Sequence, residues 1–169
     1  MGTKASMLKA SRLRELLHYD PETGVFTWIV PPCNSIHAGD AAGSPNGKGY
    51  LVIGVDRVRV GSHRLAWLYM TGEWPNGQID HIDLNRSNNR WANLRDATQS
   101  QNLANTLARA NSKSGFKGVY WHKRRAKWHA QIRHRGKGKS LGLFDSAGDA
   151  HRAYYAAAKE LHGEFARSA

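Results

Sequence analysis

Ile79-Asp80-His81-Ile82-Asp83-Leu84-Asn85-Arg86-Ser87-Asn88-Asn89-Arg90-Trp91-Ala92-Asn93-Leu94-Arg95-Asp96-Ala97-Thr98-Gln99-Ser100-Gln101-Asn102-Leu103-Ala104-Asn105 is the stretch on which the reading of this chain turns. Residues 78–83 can extend as a strand, the asparagine-rich run 85–90 must be a loop, and 91–95 can return as a second strand. Thr98 with Gln101 three residues on is a capping box, so a helix is expected to begin there and run to about Arg109. Leu103 and Leu107, one turn apart, are expected on its core face, with Asn102 and Asn105 sharing another. Two strands and a helix would thus carry a carboxylate beside an imidazole at Asp80-His81 and an amide at Asn102.

These residue types suit metal-assisted phosphodiester chemistry. Hydrolysis of a phosphodiester needs an activated water, neutralised phosphate charge and a stabilised leaving oxygen. A neutral His takes a proton near pH 7, and hard oxygen ligands hold a divalent ion. His81 fits the base, and Asp80 and Asn102 offer the oxygens. Neighbours on a regular strand point to opposite faces, so Asp80 and His81 are expected where the strand ends or twists sharply. Asp83, Asn85 and Ser87 imitate the start of a calcium loop, but its Gly and closing Glu are replaced by Asn88 and Leu94. Asn85, Asn88 and Asn89 read as turn formers that tolerate left-handed backbone.

Asp80-His81, then Asn93-Leu94, then Asn102 on a following helix resembles the HNH nucleases, in particular the phage and intron homing endonucleases. The resemblance implies a ββα-metal unit, with His81 as general base, Asp80 as a metal ligand and Asn93 as the asparagine that braces the loop and the base. Asn102 stands where the last His of that family often stands, which implies a second metal ligand. One divalent cation is implied, with Mg²⁺ the first choice, Mn²⁺ the second and no zinc expected.

Upstream, 8–17 reads as a short helix with Leu13, Leu16 and Leu17 at helical spacing. A strand at 25–29 is ended by Pro31-Pro32, and 39–49, rich in Gly, Ser, Pro and Asn, is a turn or loop. Two β-branched runs, 50–55 and 57–60, suggest a hairpin around Asp56, and 63–70 a buried short helix before Gly72. This part reads as a small α+β scaffold. In the rival reading its basic residues Arg57, Arg59, His63 and Arg64 also touch a phosphate backbone.

Downstream there is no acidic residue between Asp96 and Asp145, so the intervening Lys and Arg form a field suited to phosphates. Residues 116–121, 127–134 and 139–144 read as three strands, with Trp128, Ala130 and Ile132 alternating against Lys127, His129, Gln131 and Arg133. Ser146 with Asp149 starts a helix that Gly163 ends. Gly118-Val119, the Lys127-Trp128, Ala130 and Ile132 pattern and Leu141-Gly142 with Phe144 resemble the AP2/ERF DNA-binding domain. That resemblance implies a sheet that enters the major groove, with Lys117, Tyr120, His122, Gln131 and Arg133 as contacts and Lys123 and Arg125 beside them. Tyr120 and His122 stand where plant members often have Arg, so the preferred DNA sequence does not transfer.

The net charge of +12 and pI near 10.2 favour a polyanionic partner. Six Trp argue against a disordered basic tail. Cys33, the lone cysteine, can form neither an internal disulfide nor a multi-cysteine zinc site, which suits a reducing compartment. No apolar run approaches the ~20 residues of a membrane helix. The fold class expected is α+β: a small N-terminal α+β scaffold at 1–75, a ββα-metal unit at 76–109, a linker at 110–113, and an AP2-like three-stranded antiparallel sheet packed on one helix at 114–169. The expected activity is metal-dependent endonucleolytic hydrolysis of double-stranded DNA in the cytoplasm, of a bacterial host if phage-encoded, by a monomer or homodimer with no membrane partner. The rival is a non-catalytic AP2-type DNA-binding regulator with a relic HNH motif.

Overall fold

Leu13, Leu17, Tyr19, Phe26, Ile53, Leu65 and Leu68 come from five separate elements and are all buried in one core. A computed structural model describes residues 8–134 and 136–167 of the chain, which divides between Ala97 and Thr98 into two compact units. In the first unit, helix α1 (Ala10–Leu16) buries Leu13 and Leu16 and leaves Arg12, Arg14 and Glu15 to water. It runs straight into β1 (Leu17–Asp20), antiparallel to β2 (Val25–Trp28). The three-stranded sheet β3 (Ser44–Pro45), β4 (Leu51–Val55) and β5 (Val58–Gly61) follows in that order. Asp56 (φ 45°) and Arg57 (φ 65°) both adopt the left-handed backbone that a two-residue hairpin turn with right-twisted strands demands. Helix α2 (Ser62–Thr71) stops at Gly72, φ 83°.

Strands β6 (Gln78–His81) and β7 (Leu94–Ala97) pair antiparallel, from Gln78 opposite Ala97 to His81 opposite Leu94. Ile79 and Leu94 join the same core as the upstream elements, so the hairpin rests on the scaffold and needs no core of its own. Both strands are shorter or later than expected from the sequence. Residues 82–83 leave the ladder, and Trp91–Asn93 forms a 3₁₀ turn before β7 begins. Hydrogen bonding explains the difference, since the Asn93 carbonyl takes the Ile82 N–H at 2.9 Å and its side chain bonds within the loop.

In the second unit, α3 (Gln99–Ala104) has the expected capping box: Thr98 Oγ1 accepts from the Gln101 N–H, and Gln101 Oε1 accepts from the Thr98 N–H. It ends at Ala104, well short of Arg109. Leu103 and Leu107 are 59% and 54% exposed and do not face a core. The Asn105 N–H makes the last helical bond, to the Gln101 carbonyl, and Thr106 then turns back locally, its N–H and its hydroxyl both donating to the Leu103 carbonyl, the hydroxyl at 2.8 Å. The antiparallel sheet β8 (Val119–His122), β9 (Lys127–His134) and β10 (Lys137–Phe144) has β9 at its centre. The first strand starts later than Phe116 because Gly118, φ 69°, lies outside the β region, and a Cβ there would come within 2.2 Å of the Tyr154 ring. Helix α4 (Ala147–His162), N-capped by Ser146, lies on the sheet. Ala130 and Ala150 at 0% exposure allow the close approach, with Val119, Ile132, Tyr154 and Ala158 completing this second core. The α+β class holds. No described helix is long and apolar enough to cross a membrane.

Candidate active site and nucleic-acid face

Asp80 and His81 are the last two residues of β6, as the strand-end expectation requires. Their side chains nonetheless meet different neighbours. Asp80, 3% exposed, pairs with its cross-strand partner Arg95, whose Nε and Nη2 both lie 2.9 Å from Asp80 Oδ2. His81, also buried, meets Asn89, Tyr50 and His63.

The loop between β6 and β7 is knitted by Asp83 and Asn93. Asn93 Oδ1 accepts from the Asp83 N–H at 3.0 Å, while its Nδ2 donates to Asp83 Oδ1 at 2.9 Å and to the Asn88 carbonyl at 2.8 Å. Asp83 also accepts from the Asn85 N–H and from Asn88 Nδ2. Burial raises the Asp83 carboxyl, but these bonds, from Asn88 first, outweigh it and hold the group below the ordinary carboxylate value. Asp83 is thus the hub of the loop. The left-handed residue is Leu84, φ 68°, and none of Asn85, Asn88 and Asn89 takes that backbone.

Asn89, read from the sequence as a turn former, is 1% exposed and holds the imidazole: its Oδ1 lies 3.1 Å from His81 Nε2. Its Nδ2 donates to the Ser87 carbonyl at 3.3 Å, which orients the amide with the oxygen toward His81. His81 therefore carries its proton on Nε2 and its lone pair on Nδ1. The scaffold fixes Asn89 in turn. The Tyr19 hydroxyl donates to the Asn89 carbonyl at 2.7 Å, and Gly24 (φ 74°) lies so close that a Cβ would meet the Asn89–Arg90 peptide at 2.4 Å. Asn89→Ala is expected to strand the buried Nε2–H and cost about 1–3 kcal/mol of first-unit stability, measured by urea unfolding.

Behind His81 stands an aromatic stack. The His63 ring meets His81 edge-on at 5.2 Å and Tyr50 at 5.1 Å, and the Arg86 guanidinium lies 5.0 Å over Tyr50. Burial lowers the His81 pKa, opposed by Asn89, Asp83 and Asp80, and keeps the ring neutral near pH 7. Burial, then the proximity of His81 and Arg64, pushes His63 down to about 3. His63 Nδ1 is buried with no hydrogen-bond partner among the described residues. Tyr50 and Arg95 were not singled out in the sequence, and Asn89 and His63 were given other roles there, because their contacts join elements whose packing no periodicity reveals. Only the cross-strand position of Arg95 could have followed from a correct hairpin register.

Asp80, His81 and Asn93 thus gather at one end of the first unit. Asn102 belongs to the second, half-buried on α3. Among the described residues no three or more His, Cys, Asp or Glu side chains cluster to hold a metal ion. Asp80 is a hard oxygen donor whose carboxylate the Arg95 guanidinium orients, and Asn102 carries an oxygen donor of the same kind on its own unit, a chemistry that fits a divalent cation.

The outer face of the second unit's sheet is polar. His129 at its centre bonds the Tyr120 hydroxyl through Nδ1 and Ser140 Oγ, 2.6 Å away, through Nε2, tying three strands in one row. Tyr120 OH also donates to Gln131 Oε1 at 3.4 Å, and Arg133 is exposed farther along β9. His122 Nδ1 accepts the Arg125 N–H and so caps the turn that displays Lys123 and Arg125. His129 and Ser140 belong to this face although the AP2 resemblance did not single them out. Lys117 is placed differently: its ammonium donates to the carbonyls of Leu103, Ala104 and Thr106. Trp128 is half-buried edge-on against Trp121.

Comparison with known proteins assigns both regions. The HNH endonuclease family matches residues 60–104, a span that takes in α2 and His63 as well as the hairpin and α3, and the AP2 domain matches residues 114–164. Protein 3.8 of Escherichia phage T7 is 35% identical over 106 residues, covering 62% of this chain and 87% of that protein. No solved structure matches. With those two matches falling in this order on the elements described, the chain belongs to the HNH endonucleases and carries a DNA-binding AP2 domain downstream of its HNH domain.

Proposed function

We propose that this chain is a metal-dependent DNA endonuclease of the homing type, with residues 76–109 as its catalytic unit, 1–75 as scaffold, 110–113 as linker and 114–169 as the domain that places it on duplex DNA. The observation that carries the reading is His81, a buried neutral imidazole whose Nε2–H is held by Asn89 so that the basic lone pair sits on Nδ1. In this reading His81 Nδ1 takes a proton from water as the water oxygen bonds to phosphorus and the bond to the leaving sugar oxygen breaks. Asn93 keeps the loop that presents Asn89 in register, and Arg95 holds the Asp80 carboxylate in place through Nε and Nη2. Asp80 and Asn102 would hold one divalent cation, Mg²⁺ first and Mn²⁺ second, which supplies neutralisation of the phosphate charge when bound.

Tyr120, His122, Lys123, Arg125, Gln131 and Arg133 are the proposed DNA contacts on the second unit. A single catalytic unit handles one strand at a time, so a monomer nicks, and a double-strand break needs a dimer or a second event. The phage relative is in keeping with action in a bacterial host cytoplasm. The test is incubation of the purified chain with supercoiled DNA carrying its own flanking genomic sequence. Nicked circles are expected with Mg²⁺ and none with a chelator. Tight binding with intact DNA under both Mg²⁺ and Mn²⁺ would instead support the regulator with a relic site.

A further inference from the structure

α3 is an unusual helix to find in a fixed position. It has six residues, too few to be stable alone, its Leu103 is largely exposed, and Ala104 is its one buried side chain. Its first turn is satisfied by the Thr98–Gln101 capping box. Its last turn leaves carbonyl oxygens that no further turn of helix receives, that of Leu103 being met in part by the Thr106 N–H and hydroxyl. Lys117, on the segment that leads into β8, meets that need: Nζ lies 2.5 Å from the Leu103 carbonyl, 2.8 Å from Ala104 and 3.1 Å from Thr106. An ammonium has three protons to donate, and three acceptors surround this one. A cation at the negative end of a helix also gains from the backbone dipoles.

We propose that Lys117 is a positioning residue that fastens the C-terminal end of α3, and with it Asn102, to the AP2 sheet, and that it is not a DNA contact. Engagement with a phosphate would require giving up all three carbonyl bonds. The AP2 domain then has a second task besides binding DNA, which is to hold the helix that carries the proposed metal ligand. The hydrogen bond from Arg167 Nη1 to Asn105 Oδ1, 3.2 Å, ties the residue that follows the helix to the same domain. Burial has pushed the Lys117 ammonium down to about 8, in accord with a lysine enclosed by protein and not spread into solvent.

The test compares the full chain with Lys117→Met and Lys117→Arg by amide hydrogen exchange and by the salt dependence of duplex binding. The link to Asn102 rests on the proposed nuclease reading, but neither measurement does, so a chain that fails to cut DNA leaves both decisive. In Lys117→Met, amides of residues 102–106 are expected to exchange about tenfold faster or more, with the slope of log affinity against log salt unchanged. Lys117→Arg is expected to exchange as fast as the Met variant, because a planar fork cannot aim three donors at three carbonyls. Unchanged exchange in both variants, together with a salt slope shallower by about 0.9 in the Met variant and restored by Arg, would identify a phosphate contact and overturn the proposal. Should Lys117→Met fail to fold, Lys117→Arg alone decides: fast exchange in 102–106 supports the latch, and native exchange with a native salt slope refutes it.

Discussion

His81→Ala is expected to slow DNA nicking by about 10²–10⁴-fold, the usual contribution of a positioned general base, while duplex affinity stays within about twofold because the basic face of the second unit is untouched. The size of the effect follows from how fully the imidazole is prepared. It is buried and neutral, its ring is clamped between Asn89 and His63, and its proton is committed to Nε2. His63, the ring that meets His81 edge-on, is half-buried and held in place by the Ser62–Thr71 helix. Removing His81 leaves Asn89 Oδ1 without its bond, so some loss of first-unit stability accompanies the substitution. His81→Gln separates the two effects, since an amide can still donate to Asn89 but cannot accept a proton at neutral pH. Single-turnover nicking with Mg²⁺ and gel-shift affinity are to be measured side by side for all three proteins. Wild-type nicking by either variant would remove His81 from the mechanism.

What the sequence made legible is what local rules govern. The Thr98–Gln101 capping box, the Ser146 cap, a hairpin turn around Asp56 and the alternation along 127–134 are settled by residues within a few positions of one another. Two strands around a polar loop were expected at 78–83 and 91–95, but the ladder runs 78–81 against 94–97, because Trp91–Asn93 turns before the second strand begins. The failures lie where a distant partner outcompetes the local preference. The apolar spacing of Leu103 and Leu107 suggested a longer helix, yet Lys117 and Thr106 close it at Ala104. Asn89 looked like its neighbours Asn85 and Asn88, and only the packing of Tyr19 and Gly24 against it makes it the partner of His81. A scaffold with no legible chemistry of its own thus turns out to hold the residue that orients the candidate base.

His63 makes that same scaffold sensitive to acid. Its pKa lies near 3 in the folded chain against 6.5 unperturbed, because burial disfavours the charged ring and His81 and Arg64 stand beside it. Between those values the unfolded chain binds a proton that the folded chain refuses. The stabilisation is therefore complete above about pH 6.5, shrinks as the pH falls, and is exhausted near pH 3. Each pH unit below about 6.5 therefore lowers the stability of the first unit further until the folded chain itself accepts the proton. His63→Leu removes the titrating group, and the orphaned Nδ1 means that no bond to that atom is lost with it. Carboxylates elsewhere also titrate in this range, but they are common to both proteins and cancel in the difference. Urea unfolding of wild type and His63→Leu across pH 3–7 should show curves that diverge downward from about pH 6.5, with the variant losing less stability. Parallel curves would mean that His63 accepts its proton without unfolding, through local opening of the contact between His63, Tyr50 and His81.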